Sequence, residues 1–204
     1  MNLLDENLLK NSKTILSSCI RKIPGILVGT ERQRFIGNEI VGKLPEEHRL
    51  ILINLMNSFL MRMRELDASD IDLGGWAARG QVWLRINGVK KPVPELGVFS
   101  CVETDVLIQT ILMNGQRDAL FDQRNLDFSY IFHLNEKIAR HRADAYFDMD
   151  DLALNMRAIS TDIRSYENYE FHSAVTRVFN LAQTKEGLIL ITGITGSGKS
   201  STLD

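Results

Sequence analysis

Between Pro45 and Leu66 the apolar residues Leu50, Ile53, Leu55, Met56, Phe59, Leu60 and Met63 recur at helical spacing, after a Pro-Glu-Glu opening that suits a first turn. One helix is expected there, with its apolar stripe turned to a core. From Ala68 the period shortens. Ile71-Asp72-Leu73 reads as a short strand and Gly74-Gly75 as a turn, and Gln81 to Ile86 alternates up to Asn87-Gly88, the strongest two-residue hairpin signal in the chain. Val89 to Val93 returns the hairpin before Pro94. Apolar steps of three and four predict a helix over 104–113 and a shorter one over 116–122, and strands are expected over 126–132, 139–147 and 152–159. This order of elements describes a small α+β domain in which helices cover an antiparallel sheet.

The two ends read differently. Residues 1–45 carry a short amphipathic pattern over 3–20, a turn at Pro24-Gly25 and the charged run Glu31-Arg32-Gln33-Arg34; they read as an N-terminal extension to which no chemistry is assigned. The polar and aromatic stretch 160–170 reads as an interdomain linker. Residues 168–184 predict a helix with Phe171, Val175, Val178, Phe179 and Leu181 facing inward. It leads into Gly187 to Thr192, a continuous apolar run of the kind buried on both faces of a parallel sheet.

Composition narrows the class. With 204 residues, 44% of them hydrophobic, the chain has room for one large or two small domains, and a formal net charge of -2 gives no electrostatic footprint for nucleic acid. Cys19 and Cys101 form no C-x-x-C pair and point to neither a disulfide framework nor a zinc site, and both are expected as small buried thiols. His133 and His141 lack metal-ligand spacing. No apolar stretch reaches bilayer-spanning length and the N-terminus has no signal-peptide layout, so a cytoplasmic location is expected.

The chemistry sits near the end of the chain. Gly193-Ile194-Thr195-Gly196-Ser197-Gly198-Lys199-Ser200 fits the phosphate-loop pattern G-x-x-x-x-G-K-[ST], between an expected strand and an expected helix start. Gly193, Thr195, Gly196, Ser197, Gly198, Lys199, Ser200 and Ser201 are therefore the candidate nucleotide-binding residues, with ATP and Mg²⁺ as cofactors. Backbone N–H groups from Gly196 to Ser200 would surround the β-phosphate at the positive end of a helix. Lys199 would reach the β- and γ-phosphates, and the Ser200 hydroxyl would ligate Mg²⁺.

Ala68-Ser69-Asp70-Ile71-Asp72-Leu73, the hairpin with Arg85-Ile86-Asn87-Gly88, Leu126 to Tyr130, the strand containing Arg142, Arg157-Ala158-Ile159 and Gly187 to Leu203 follow one another in a familiar order. In that order the chain resembles the secretion and pilus motor ATPases over roughly Glu46 to Leu203. Within them it looks most like the type IV pilus retraction (twitching-motility) ATPases, with type II secretion and pilus-extension ATPases close behind. The resemblance implies a PAS-like α+β domain over 46–159, a linker over 160–170 and the beginning of a RecA-like P-loop domain over 171–204. It also implies a hexamer with nucleotide at the junction, peripheral to the inner membrane through a platform protein and without direct membrane insertion. Arginines of the N-terminal domain are expected near the γ-phosphate, and Arg142 and Arg157, with Arg140 behind them, occupy strands of that domain. The alternative for these arginines is a solvent-facing position or a pairing with Asp127, Asp144 or Asp148.

Two departures concern single residues: Ile194 stands where the family often has proline, and Asp72 where it often has histidine. A third concerns mechanism. In the family the Walker B strand, its catalytic glutamate and the aspartate and histidine boxes follow the phosphate loop, and no residue here stands for them. The expectation is the N-terminal portion of a longer ATPase, which binds ATP but does not by itself hydrolyse it at a useful rate. The reading from another class is a non-catalytic oligomerisation or interaction module. A nucleotide kinase or GTPase is disfavoured, because such proteins carry the loop near the start of their domain.

Overall fold

Each element expected between residues 45 and 159 is present in the computed structural model, which describes residues 6–134, 137–159, 171–173, 175 and 187–193. The long helix is α3, Glu46–Glu65, where Leu52, Leu55, Met56, Phe59, Leu60 and Met63 are buried. Leu50, counted into the stripe from its spacing, is exposed, and Leu52 takes the inward place. Strands β1 (Ala68–Gly74), β2 (Trp83–Ile86) and β3 (Val89–Pro92) form a meander. Its second turn uses Asn87 and Gly88, both at positive φ, as a tight hairpin requires.

Helix α4, Cys101–Ile111, begins earlier than its apolar pattern because Ser100 caps it. The Ser100 hydroxyl accepts from the Glu103 N–H at 3.2 Å, and the Glu103 carboxylate accepts from the Ser100 N–H at 2.7 Å. After α5 (Asn114–Gln123) come β4 (Asn125–Leu134), β5 (Lys137–Asp148) and β6 (Asp151–Ile159), a second meander.

All six strands form one antiparallel sheet in the order β3-β2-β1-β6-β5-β4. The two meanders meet along β1 and β6, from Asp70 opposite Arg157 to Gly74 opposite Ala153. One face of the sheet packs on the helices and carries the in-register row Leu84, Ile71, Met156 and Ala143, all buried. Alternation turns the neighbouring row, Arg85, Asp70, Arg157 and Arg142, to the opposite face.

Residues before α3 share this core. Helix α1 is Glu6–Ile20, and α2, Gly29–Phe35, runs on into a wider π-helical turn, Ile36–Val41. Ile15, Leu16, Cys19, Ile36, Ile40 and Val41 pack with the residues of α3 and the sheet, so residue 45 divides no core, and Met1–Ile159 is one compact unit. Polar interior contacts hold α2 in place. The Gln33 side-chain N–H donates to the Asp105 carboxylate at 2.7 Å and to the Asp150 carbonyl at 3.0 Å, while Arg32 pairs with Asp151.

Residues 160–204 form a second unit. Ser173 and Val175 are helical there, but the expected linker and most of the expected helix over 168–184 lie outside the described residues.

Candidate functional site

Of the expected phosphate loop only Gly193 is described; Thr195, Gly196, Ser197, Gly198, Lys199, Ser200 and Ser201 lie outside the described residues. The apolar run Gly187 to Thr192, expected as a buried strand, has no strand assignment among the described residues. Residues 187–193 carry no strand pairing, and Leu188 and Leu190 are exposed.

The arginines, by contrast, are placed in detail. Arg142 on β5 and Arg157 on β6 stand directly opposite each other on the face of the sheet turned away from the helices of this unit, with their side chains 71% and 61% exposed. Arg157 Nε donates to Asp70 Oδ1 at 2.8 Å. Asp70 is buried and also draws Arg85 to 3.4 Å from its other oxygen. Arg142 meets Asp127 at 3.3 Å, the pairing expected for it; the partner of Arg157 is Asp70, from across the β1–β6 seam, and none of the three carboxylates expected. Arg140 lies on the same face, opposite Ile159.

Arg142, Arg157, Asp127, Asp144 and Asn155 line a shallow hollow of about 260 Å³. Burial and the nearby Asp127 push the Asp144 carboxyl above its ordinary range, and Arg142 opposes that shift. Two guanidinium groups side by side can grip an anion such as a phosphate group. Asp127 and Asp144 share the hollow with the two arginines and offset part of their charge.

Cys19 is buried as expected; Cys101 is only half-buried, its Sγ 3.7 Å from the Gly75 carbonyl oxygen. Among the described residues no group of His, Cys, Asp and Glu is arranged to hold a metal ion, and no helix is long and apolar enough to cross a membrane.

No protein-family model matches the chain. Individual relatives do. It is 31% identical over 138 residues to the uncharacterized protein YggR of Escherichia coli K12, covering 67% of this chain and 38% of that protein. It is 30% identical over 131 residues to a twitching motility protein of Neisseria gonorrhoeae, covering 64% and 33%. A putative type II secretion system protein E of Escherichia coli K12 is 24% identical over 170 residues, covering 78% and 32%. Among solved structures, the pilus retraction motor PilT with bound ADP superposes with a TM-score of 0.57 at 27% identity, over 71% of this chain and 40% of that one. The chain belongs to the PilT-like type II/IV secretion ATPase family. It spans less than two fifths of the length of these curated relatives. Within this PilT-like chain the family's mixed α/β fold is carried by the antiparallel sheet and its helices, on which Arg142 and Arg157 sit.

Proposed function

We propose that this chain is the nucleotide-binding N-terminal part of a hexameric motor ATPase that drives type IV pilus retraction. The observation that carries this reading is the Gly-Ser-Gly-Lys-Ser loop, Gly196 to Ser200, in a chain of the PilT-like family. ATP lodges on Gly193 and on Thr195 to Ser201, with Mg²⁺ on the Ser200 hydroxyl. The layout is a PAS-like domain over 46–159 whose core the preceding helices complete, a linker over 160–170 and the start of a RecA-like domain from 171. Arg142 and Arg157 answer the γ-phosphate charge of a nucleotide in this or a neighbouring subunit. Closure on nucleotide then changes the angle between the domains and passes force to a platform protein at the inner membrane.

A second reading, a type II secretion motor, draws on the relative of that name, which matches over the larger share of this chain. Both readings require nucleotide on the same loop. The test is calorimetry with Mg²⁺-ATP and with ADP on this chain and on Lys199→Ala. Saturable binding that the substitution abolishes is the expected result. Absence of binding, or equal binding by both proteins, would leave an interaction module and overturn the motor reading.

A further inference from the structure

The two edges of the sheet are built differently. Strand β3 is four residues long, Val-Lys-Lys-Pro, and all four are exposed. Short length, lysines and a proline keep an edge strand from pairing with another chain. Strand β4, at the other edge, runs for ten residues without proline, glycine or lysine. No bulge interrupts it, and its register with β5 is continuous from Asn125 opposite Tyr146 to Leu134 opposite Lys137.

The ladder fixes which backbone groups of β4 are left over. At its start the Phe147 N–H donates to the Arg124 carbonyl at 3.0 Å, so the residues in step with Arg124, the even-numbered ones, direct their N–H and C=O groups to β5. Asp127, Ser129, Ile131 and His133 turn theirs outward, where no hydrogen bond meets them among the described residues. The side chains of these four residues are exposed and share the face that carries Arg142.

A second copy of β4 fits this edge in an antiparallel register centred on Tyr130. Asp127 then stands opposite the partner's His133, and Ser129 opposite the partner's Ile131, each pair occurring twice about the two-fold axis. All four are outward-facing residues, so each pair can exchange two backbone hydrogen bonds. The register brings carboxylate to imidazole: Asp127 is 60% exposed and engages Arg142 through Oδ1, which leaves Oδ2 for the partner's His133. On the other face Phe128 meets the partner's Phe132, and Tyr130 the partner's Tyr130, aromatic cross-strand pairs of the stabilising kind.

A second copy also closes the assembly. Pairing β4 with β4 removes both unguarded edges and leaves β3 at each end of the joined sheet. A strand from another protein would instead present its own far edge.

We propose that this chain forms a two-fold dimer through β4. The contact needs neither nucleotide nor residues 160–204. It is isologous, unlike the head-to-tail contacts that close a ring.

Sedimentation of the unsubstituted chain across a dilution series should show a reversible monomer–dimer equilibrium. Residue-resolved hydrogen exchange should slow with concentration at Asp127, Ser129, Ile131 and His133, and not at the even-numbered residues between them. Ser129→Pro removes an outward N–H and no bond to β5, so it should weaken the dimer about tenfold or more while the melt of the dilute monomer stays unchanged. His133→Glu sets carboxylate against carboxylate and should weaken it by a similar factor. Adding Asp127→Lys to His133→Glu should restore the dimer, a rescue that a folding defect would not show. A chain monomeric at every concentration would overturn the proposal and leave the edge to an extended segment of another protein. A dimer indifferent to Ser129→Pro or to His133→Glu, or no recovery in the charge-swapped variant, would overturn it equally.

Discussion

Arg142 and Arg157 face each other across β5 and β6, yet only Arg157 is firmly held. Its partner Asp70 is a buried carboxylate at 2.8 Å, whereas Arg142 reaches an equally exposed Asp127 at 3.3 Å. An exposed pair of that kind contributes about 0–1 kcal/mol. Arg142→Ala should therefore leave stability within about 0.5 kcal/mol of the parent in urea melts. On the proposed motor reading, the same change in the full-length protein should lower ATP turnover about tenfold or more, because a guanidinium on developing phosphate charge acts mainly in the transition state. Unchanged turnover would make Arg142 a solvent-facing strand residue.

Asp70 stands between Arg85 and Arg157 and accepts a hydrogen bond from Ser69 Oγ at 2.7 Å. Both arginines can turn to water when the carboxylate is lost, so Asp70→Ala should cost about 1–2 kcal/mol, less than breaking a fully buried pair. Urea unfolding of the single and of the Asp70→Ala, Arg157→Ala double variant measures it; additive losses would contradict the coupling.

Glycines give a sharper contrast. Gly74 sits at φ 79°, and an added Cβ would collide with the Leu152 carbonyl oxygen, a backbone atom of the neighbouring strand. Gly74→Ala should destabilise by about 2 kcal/mol or more. Gly115, inside α5 with open space around it, should behave oppositely: Gly115→Ala should stabilise by about 0.5 kcal/mol. Thermal melts of the two variants should move in opposite directions.

Asp105 and His141 set opposing pH responses. Burial raises the Asp105 carboxyl to about 7, with hydrogen bonds from the Leu152 N–H and Gln33 working against the shift. From pH 3.8 to 7 the folded chain therefore keeps a proton that the unfolded chain releases, and stability falls as pH rises. Burial, assisted by Arg64, lowers His141 to about 4, where its ring stacks on Phe132. From pH 6.5 down to 4 the unfolded chain takes up a proton that the folded chain refuses, and stability falls as pH drops. The two slopes offset each other between pH 4 and 6.5. Asp105→Asn should thus become more stable as pH rises through that window, and His141→Phe less stable, each by up to about 1.4 kcal/mol per pH unit. Denaturant titrations across the window with the same slope in both variants would contradict the assignment.

Much of the sheet was legible because its turns carry their own chemistry. Asn87-Gly88 and Gly74-Gly75 fix where strands stop, and alternation then puts Arg142 and Arg157 on the polar face. Asp70 as the partner of Arg157 was not legible, since that contact depends on the register between β1 and β6, 87 residues apart. Helix α2 escaped for a related reason. Its run Glu31 to Arg34 looks like a solvated stretch, but Gln33 is fully buried and bonded to Asp105, 72 residues away. The spacing from Gly193 to Ser200 marks a phosphate-loop pattern in the sequence, of which only Gly193 lies among the described residues.

The seam between β1 and β6 also gives the sheet a mechanical grain. Each meander closes through its own short turns, but the halves are joined by one ladder, from Asp70 and Arg157 to Gly74 and Ala153. Tension along the strands loads every bond of that ladder together, in shear, while tension across them opens the bonds one after another. The unit is therefore stiff along one axis and compliant along the other, and it resists a load best when that load follows the strands.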